Sequence, residues 1–375
     1  MSALAPSASK KAQPVKKAFA LGTSLFPVPI SGLGGPLAYS SGSVSTLTPI
    51  PKTGFLGRLR YQCKGTIQFS TAASSSYVVP IWRIIQNYTL QNSLNYPYRS
   101  WNGGTVDDLW LAQQVYAAQG GGDPLTSSLN WLGINPSITT AQAFSFTWTD
   151  EIWHNPDVNF SRYILSAMTT SNDLTINMTW APVTVLQQLG AIVSSFTMGV
   201  AATAEFLTVP NPNVYNWPRR NLIQQQIGDP SFNRPAAGLN AINLTPIQGP
   251  EFLGLGVQII DSGAPISLAP GTSPLQAINL LVNGSIPLYQ WTASDLVANY
   301  EKLFRRSPQF GTLFLDFSND LGLVNAMSHT HRKVLSTAKY SQLTLQVQLS
   351  TGFSGAAGSA INLWKRLQAS YANNN

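Results

Sequence analysis

The side chains able to carry chemistry are few, with 15 acidic residues and three histidines among 375 residues. His329 and His331 are two positions apart, so on a strand both imidazoles would lie on one side, as a pair of metal ligands would. No acidic residue lies within eight positions of either, and the single cysteine, Cys63, is far away in the sequence. We therefore interpret both residues as loop histidines.

Two acidic pairs could supply the two carboxylates of a glycosidase. They are Asp107-Asp108 and Asp150-Glu151. Neighbouring residues of a strand face opposite sides, and the first pair also suits the opening turn of a helix. His154 lacks a nucleophile-elbow motif that would give it a serine partner. The sequence thus predicts no enzyme, no catalytic residue, no metal site and no cofactor.

Eight of the ten tryptophans fall into two groups by their surroundings. Those in strand-like runs are predicted to lie in a core, whereas those near turns could stack on sugars or anchor a neighbouring chain. We expect core or interface positions rather than a sugar site. The first group is Trp82, Trp148, Trp180 and Trp364, and the second is Trp101, Trp131, Trp217 and Trp291.

The composition indicates a protein whose surface is covered by other copies or partners. Charged residues make up 10% of the chain, against about 25% in average soluble domains. So few charges protect a monomer poorly against association. Cys63 is the only cysteine, which excludes an intrachain disulfide and suits folding in a cytoplasm. We interpret it as a small buried apolar residue.

The net charge of +7 is partly an N-terminal property. Lys10, Lys11, Lys16 and Lys17 lie in the first 17 residues, and no acid precedes Asp107. This arm is either a solubilising tail or a contact to a neighbouring subunit or an anionic membrane, to which each lysine contributes about 1 kcal/mol. The other basic residues are scattered without a recognition helix, so sequence-specific nucleic-acid binding is not expected. No signal peptide or membrane span is predicted.

The clearest elements lie between Asn283 and Leu349. Thr292 and Asp295 have the spacing of a helix-capping pair, and an apolar face follows until Arg305-Arg306 and Pro308. The apolar run Leu313–Phe317 and the alternating run Leu343–Leu349 predict strands.

The same pattern occurs earlier in the chain, which predicts two copies of one β-rich unit. Phe55-Leu-Gly57 recurs as Phe252-Leu-Gly254, and at the same offset of 197 Ile81–Ile85 falls on Ile278–Val282, both predicted as buried strands. A capped helix from Thr105 matches the one at Thr292. The first unit then continues with predicted strands at Phe144–Trp148, Leu174–Trp180 and Ala191–Val209.

These features predict four segments. Residues 1–50 are a basic arm, up to about residue 20, and an extended, turn-rich lead-in over 21–50 without regular elements. Residues 51–210 are the first unit, 211–245 a proline-rich connection that could hold an early strand, and 246–375 the second unit.

The two β-rich units, each with an inserted helix, together with the basic arm, resemble the major capsid proteins of the double jelly-roll lineage, in particular the tectivirus-like phages with an internal membrane. The resemblance covers roughly residues 50–371 and includes the stretches Gly284–Trp291 and Gly311–Asp320. It implies an all-β fold of two consecutive eight-stranded jelly rolls with short inserted helices.

The resemblance also implies a function. Such proteins form homotrimeric, pseudo-hexagonal capsomers that tile an icosahedral shell, contact penton and minor capsid proteins, and direct the arm towards inner-membrane lipid. Few positions could hold the large loops of eukaryotic-virus members, which favours a bacterial or archaeal virus. Two alternatives remain at this point: a secreted β-sandwich that binds or hydrolyses carbohydrate, and a minor vertex or spike protein of a virion.

Overall fold

The protein is built from two consecutive β-sandwiches. The computed structural model describes residues 17, 24–33, 37–38, 44–74, 81–93, 95, 97–101, 134–152, 165–166, 173–187, 190–208, 211, 213–214, 222–228, 232–244, 251–317, 335–336 and 342–370. The structural statements below concern these residues.

The first sandwich contains ten strands and two turns of 3-10 helix, at Ile81–Ile84 and Val183–Leu186. The strands are β1 (Leu25–Ile30), β2 (Leu37–Ala38), β3 (Val44–Pro49), β4 (Phe55–Thr71), β5 (Ile85–Gln91), β6 (Pro97–Trp101), β7 (Gln142–Glu151), β8 (Leu165–Ser166), β9 (Thr175–Trp180) and β10 (Ile192–Leu207).

The second sandwich contains eleven strands and one helix in the described residues. The strands are β11 (Leu222–Gly228), β12 (Phe232–Asn233), β13 (Gly238–Leu244), β14 (Glu251–Asp261), β15 (Ala264–Pro265), β16 (Leu275–Val282), β17 (Ile286–Thr292), β18 (Thr312–Asp316), β19 (Leu335–Ser336), β20 (Leu343–Leu349) and β21 (Ala360–Ser370); the helix is α1 (Ala293–Phe304).

Both sandwiches have the same topology. Each has eight strands of five or more residues in its described part, and these can be numbered 1 to 8 in chain order. One sheet of each sandwich then has the order 1-8-3-6 (β1-β10-β4-β7 and β11-β21-β14-β18), and the other has the order 2-7-4-5 (β3-β9-β5-β6 and β13-β20-β16-β17). This is the jelly-roll order, so the prediction of two consecutive eight-stranded jelly rolls is confirmed.

The two rolls are joined edge to edge. β6 of the first roll and β11 of the second pair in parallel, with Arg99 opposite Gln226 and Ser100 opposite Ile227. This pairing merges one sheet of each roll into a single eleven-stranded sheet. A second-roll strand therefore covers the β6 edge of the first roll.

The equivalence of the rolls extends to their irregularities. The hairpin β5–β6 pairs Leu90 with Arg99 and has a bulge immediately after Leu90. The hairpin β16–β17 pairs Leu280 with Tyr289 and has its bulge immediately after Leu280. The offset between these hairpins is 190 residues, so the predicted offset of 197 for this region is wrong.

The predicted strand at Ile81–Ile85 is also wrong, because Ile81–Ile84 form a 3-10 turn and β5 begins at Ile85. A short apolar run does not by itself distinguish a strand from a buried helical turn. The runs at 55 and 252 do begin equivalent strands, β4 and β14. The β4–β10 pair and the β14–β21 pair each have a bulge near this end, and aligning the two bulges places Leu56 on Phe252. The offset between these strands is therefore 196 residues.

The lead-in over residues 21–50 was predicted to be irregular, yet it holds β1, β2 and β3. Pro27 and Pro29 lie within β1, which pairs with β10 on one side and ends its sheet. The two prolines are two positions apart, so their missing N–H groups face the same side. An edge strand tolerates this because that side has no ladder to complete.

The range 211–245, predicted as a connection, contains β11 and β13, which are strands 1 and 2 of the second topology. The described residues between β10 and β11 are Thr208, Asn211, Asn213 and Val214. We propose that the second roll starts at β11 rather than at residue 246.

Several predicted elements are confirmed. Thr292 Oγ1 accepts a hydrogen bond from the Asp295 N–H at 3.2 Å, and Asp295 Oδ2 accepts one from the Thr292 N–H at 3.1 Å, so a capping box opens α1. The helix ends at Arg305, which adopts a left-handed conformation with φ of 54°. The predicted strands in 144–148, 174–180, 191–209, 278–282, 313–317 and 343–349 correspond to β7, β9, β10, β16, β18 and β20. The predicted helix from Thr105 lies outside the described residues.

Candidate assembly surfaces

A buried ion pair ties the two sheets of the first roll together. Arg99 on β6 donates from Nε to Asp150 Oδ1 on β7 at 2.6 Å, and each side chain is 1% exposed. Tyr88 on β5 donates its hydroxyl to Asp150 Oδ2 at 2.8 Å, and the Tyr61 hydroxyl of β4 lies 2.9 Å from that of Tyr88. The Asp150 carboxylate thus accepts hydrogen bonds from two strands of the opposite sheet, which compensates its burial.

The two tyrosines of this cluster keep their hydroxyl protons. Burial, reinforced by the nearby Asp150 carboxylate, raises the pKa of both Tyr61 and Tyr88 well above the usual range. Both hydroxyls therefore remain protonated and can donate. Burial likewise raises the pKa of the Cys63 thiol on β4, which is 0% exposed. Cys63 is a small core residue, as the alternation of β4 predicted.

The candidate catalytic groups do not form a site in the described part of the chain. Asp150 is committed to Arg99, and the side chain of its neighbour Glu151 is outside the described set. His154, His329, His331 and the pair Asp107-Asp108 also lie outside the described residues. Among those that are described, no cluster of three or more potential metal-ligating side chains occurs.

Most tryptophans whose side chains the structure describes are core residues. Trp148, Trp180 and Trp364 are at most 2% exposed, as predicted, and Trp101, which the sequence placed near a turn, is also buried. The Trp82 side chain, Trp131 and Trp217 are outside the described set. Trp291 differs from the others, because it is half-buried on β17.

A pocket lies beside Trp291, between β17, α1 and β18. Its volume is about 240 Å³. Tyr289 stacks on Trp291 with ring centroids 4.9 Å apart and planes 6° apart, and on Phe317 with centroids 5.5 Å apart. The rest of the wall is Leu296, Asn299, Lys302, Leu303, Phe314, Leu315 and Asp316. β17 ends its four-stranded sheet, so this pocket opens at an edge of the second roll.

The first roll has an edge of a different character at β1. Phe26, Val28 and Ile30 alternate with Leu25, Pro27 and Pro29 along this strand. The first three side chains are half-buried or buried, and the second three are exposed, with Leu25 at 41%. We call Leu25, Pro27 and Pro29 the β1 stripe, an exposed apolar row on a sheet edge.

Polar side chains cover the outer face of the first roll's β1-β10-β4-β7 sheet. Gln62, Lys64 and Thr66 alternate with the core residues of β4 and are exposed. Arg58 and Arg60 hold Glu205 of β10, with Nε to carboxylate distances of 2.9 and 2.7 Å. By contrast, β14 and β21 of the second roll are buried on both faces from Phe252 to Ile259 and from Ile361 to Leu367. The outer face of this sheet is thus exposed along β4 in the first roll, whereas β14 and β21 of the equivalent sheet in the second roll are buried on both faces.

An acidic side chain fastens two loops at one end of the second roll. Asp261, at the end of β14, accepts hydrogen bonds from the Ser354 N–H at 2.8 Å and from the Ser359 hydroxyl at 2.9 Å. The carboxyl is slightly desolvated, which alone would raise its pKa, but the hydrogen bonds from Ser354, Ser359 and Gly355 outweigh this and lower the pKa. The loop preceding β21 is therefore anchored to the β14–β15 turn.

Of the four arm lysines, only Lys17 lies in the described residues. Its backbone N–H donates to the Val214 carbonyl at 2.9 Å, and its side chain is exposed. This bond places the Lys17 backbone beside Val214, which lies between the two rolls in the sequence. Lys10, Lys11 and Lys16 lie outside the described residues.

No described helix has the length and apolar character needed to cross a membrane.

Comparison by sequence finds no matching protein-family model and no matching curated protein. Comparison of structures does find matches. The chain is similar to the major capsid protein of STIV, the Sulfolobus turreted icosahedral virus, with a TM-score of 0.64 and 14% identity over 92% of this chain and 97% of that one.

Two further similar structures come from other viruses. A chain of the PBCV-1 virus capsid matches with a TM-score of 0.59 and 11% identity, over 97% of this chain and 99% of that one. Major capsid protein P2 of bacteriophage PM2 matches with a TM-score of 0.52 and 10% identity, over 93% of this chain and all of that one (100%). These neighbours are structural capsid proteins and not enzymes, and the shared fold is the double jelly roll.

Proposed function

We propose that this chain is the major capsid protein of a virus and that its work is self-assembly. The observation that carries the proposal is the fold. Two jelly rolls of the same topology occupy the whole length of capsid proteins from three different viruses, with more than 90% of both chains covered in each comparison. A surface with few charges supports it, because such a surface is suited to being covered by other copies.

The assembly unit is a homotrimer. Three copies supply six rolls of one topology, which can surround an axis as a pseudo-hexagonal capsomer, and capsomers of this shape tile an icosahedral shell. In the virion the trimer would contact neighbouring capsomers and the penton and minor capsid proteins that complete the shell. Several unlike viruses share this fold, and we propose a bacterial or archaeal virus because the chain has few positions for large inserted loops.

Electron microscopy of the purified full chain tests this proposal. Expected are particles with six similar lobes around an axis, and closed or sheet-like arrays of them at high protein concentration. Single particles with two lobes at every concentration and salt would contradict the capsomer. In that case, binding to an array of glycans would test the carbohydrate-binding alternative.

The arm, residues 1–20, is proposed to contact the inner membrane beneath the shell. It carries Lys10, Lys11, Lys16 and Lys17, and the Lys17 N–H donates a hydrogen bond to the Val214 carbonyl. At about 1 kcal/mol per lysine, four lysines near an anionic leaflet supply about 4 kcal/mol, which falls as salt is added.

A vesicle-binding experiment tests the arm. The full chain should sediment with vesicles containing phosphatidylserine but not with neutral phosphatidylcholine vesicles, and replacing the four lysines with alanine should abolish binding. Deleting residues 1–20 should leave the oligomer intact. Equal binding by the alanine variant would contradict a membrane role, and loss of the oligomer on deletion would make the arm a subunit contact instead.

A further inference from the structure

The junction between the two rolls of one chain gives a template for contact between copies. In that junction β11, strand 1 of the second roll, lies beside β6, strand 5 of the first. In a single chain, strand 1 of the first roll (β1) and strand 5 of the second (β17) are both sheet ends without such a neighbour among the described residues. The same junction can therefore form again only between different copies.

The β6 and β17 edges correspond residue by residue. The shared bulge aligns Arg99 with Tyr289 and Trp101 with Trp291. Arg99 and Trp101 are 0% and 5% exposed, and β11 lies against their strand. Tyr289 and Trp291 are only half-buried and line an open pocket. The pocket thus lies on the second roll at the position that corresponds to the covered β6 edge of the first roll.

The other side of the junction can be aligned in the same way. The bulges of the β4–β10 and β14–β21 pairs align Glu205 of β10 with Arg366 of β21. Glu205 pairs with Pro27 of β1, and Arg366 pairs with Gln226 of β11. Pro27 is therefore the counterpart of Gln226, the residue opposite Arg99. Repeating the junction between copies sets Pro27 beside Tyr289 and Pro29 beside Trp291.

The chemistry of the two surfaces agrees with this register. Pro27 and Pro29 are exposed members of the β1 stripe, and the residues they would meet are aromatic rings with one face towards an opening. Apolar proline rings against Tyr and Trp give an interface core of the usual composition. The prolines also lack N–H groups on the outer side of β1, so the contact between copies repeats the register of the junction through side chains and not its hydrogen-bonded ladder.

We propose that the β17–α1 pocket of each copy receives the β1 stripe of a second copy of this chain. The inference rests on the proposed function, since it identifies the surfaces through which the capsomer forms. The contact joins two different surfaces, so it is heterologous, and such a contact closes into a ring when the rotation per copy divides a full turn. Three copies then bury three pockets and three stripes.

A mixing experiment with two variants tests the assignment. Asn299→Arg adds a long charged side chain to the exposed helical wall of the pocket, and Pro29→Asp puts a carboxylate into the stripe. Each variant alone should have the mass of one chain. In an equal mixture, the stripe of the Asn299→Arg chain and the pocket of the Pro29→Asp chain are both intact. The two variants should therefore form a dimer of about 81 kDa, and no further copy can add to it.

Two control variants carry the same chemical changes elsewhere. Ala298→Arg alters the exposed neighbour of Asn299 outside the pocket wall, and Leu239→Asp alters an exposed residue on the β13 edge. Both should keep the wild-type mass. Far-UV circular dichroism and the melting temperature of each variant report whether it is folded.

The outcomes separate this inference from the proposed function. A wild type that oligomerises while folded Asn299→Arg and Pro29→Asp still reach its mass would overturn the pocket-and-stripe assignment and leave the capsomer standing. A monomeric wild type would overturn the capsomer itself. Folded single variants whose mixture stays monomeric would show that the two residues do not lie on opposite sides of one contact, which also overturns the assignment.

Discussion

Replacing Asp150 with alanine should destabilise the first roll more than any loss of a surface ion pair. Asp150 and Arg99 are each 1% exposed and 2.6 Å apart, and the substitution leaves the guanidinium buried without its carboxylate. It also removes the acceptor of the Tyr88 hydroxyl. Removing one partner of a buried pair costs about 3–5 kcal/mol, which corresponds to a fall in melting temperature of roughly 6–20 °C for a unit of this size.

The assay is thermal unfolding followed by circular dichroism at one fixed protein concentration. Asp173→Ala, in an ion pair with Lys52 whose side chains are 42% and 54% exposed, is the matched control. It should change stability by less than about 1 kcal/mol. A double variant, Arg99→Met with Asp150→Leu, should recover much of the loss because neither charge remains buried. A loss for Asp150→Ala no larger than that of the control would refute this account of the cluster.

Three further outcomes are expected. Gly65→Ala should lower the free energy of unfolding, measured by urea titration, by about 1–3 kcal/mol, because a Cβ there would lie 2.0 Å from the Thr197 carbonyl oxygen. Gly199→Ala is the control and should leave this free energy almost unchanged, because the nearest atom to its added Cβ is 3.9 Å away. Thr292→Ala should cost about 1 kcal/mol by removing the cap of α1, and no change in the urea midpoint would count against the capping box. The hydrogen bonds lower the pKa of Asp261 in the folded protein, so its carboxylate stabilises the fold. This contribution to the free energy of unfolding is complete above the ordinary carboxyl pKa of about 3.9 and is lost as the pH falls through the lower pKa of the folded state. Asp261→Asn should therefore flatten the fall in melting temperature over that acid range, and an unchanged slope would contradict the role of the carboxylate.

The elements predicted well from sequence are those whose signals are local. The cap at Thr292 and the alternation of 343–349 depend on contacts within a few residues, and both α1 and β20 occur where expected. β1 was missed because prolines normally indicate a loop. The sequence does not show that β1 lies at a sheet edge, where a missing N–H costs little.

The sequence predicted the order of the equivalent elements in the two rolls but not which residues correspond to each other. The sequence alignment used similar letters at 55 and 252, whereas the true correspondence is fixed by where each strand bulges, and bulges depend on long-range pairing. The sequence could have indicated the buried pair, because Asp150 continues the inward alternation of Phe146 and Trp148. A charge in such a position needs a buried partner. Nothing local identifies Arg99 as that partner, because 51 residues separate them.

The surfaces proposed for assembly could not be predicted from sequence for a related reason. Trp291 was recognised as a tryptophan near an element end that could anchor a neighbour. Its contrast with the buried Trp101 appears only when the two hairpins are aligned by their bulges. That alignment separates the core position of Trp101 from the proposed interface position of Trp291.

The mass of the full native chain in solution, measured by light scattering at low and at high salt, tests the central claim most directly. Three chains of 40.5 kDa give about 120 kDa, and a heterologous contact with an apolar core should hold this mass at both salt concentrations. A monodisperse species of one chain mass under both conditions would contradict the account.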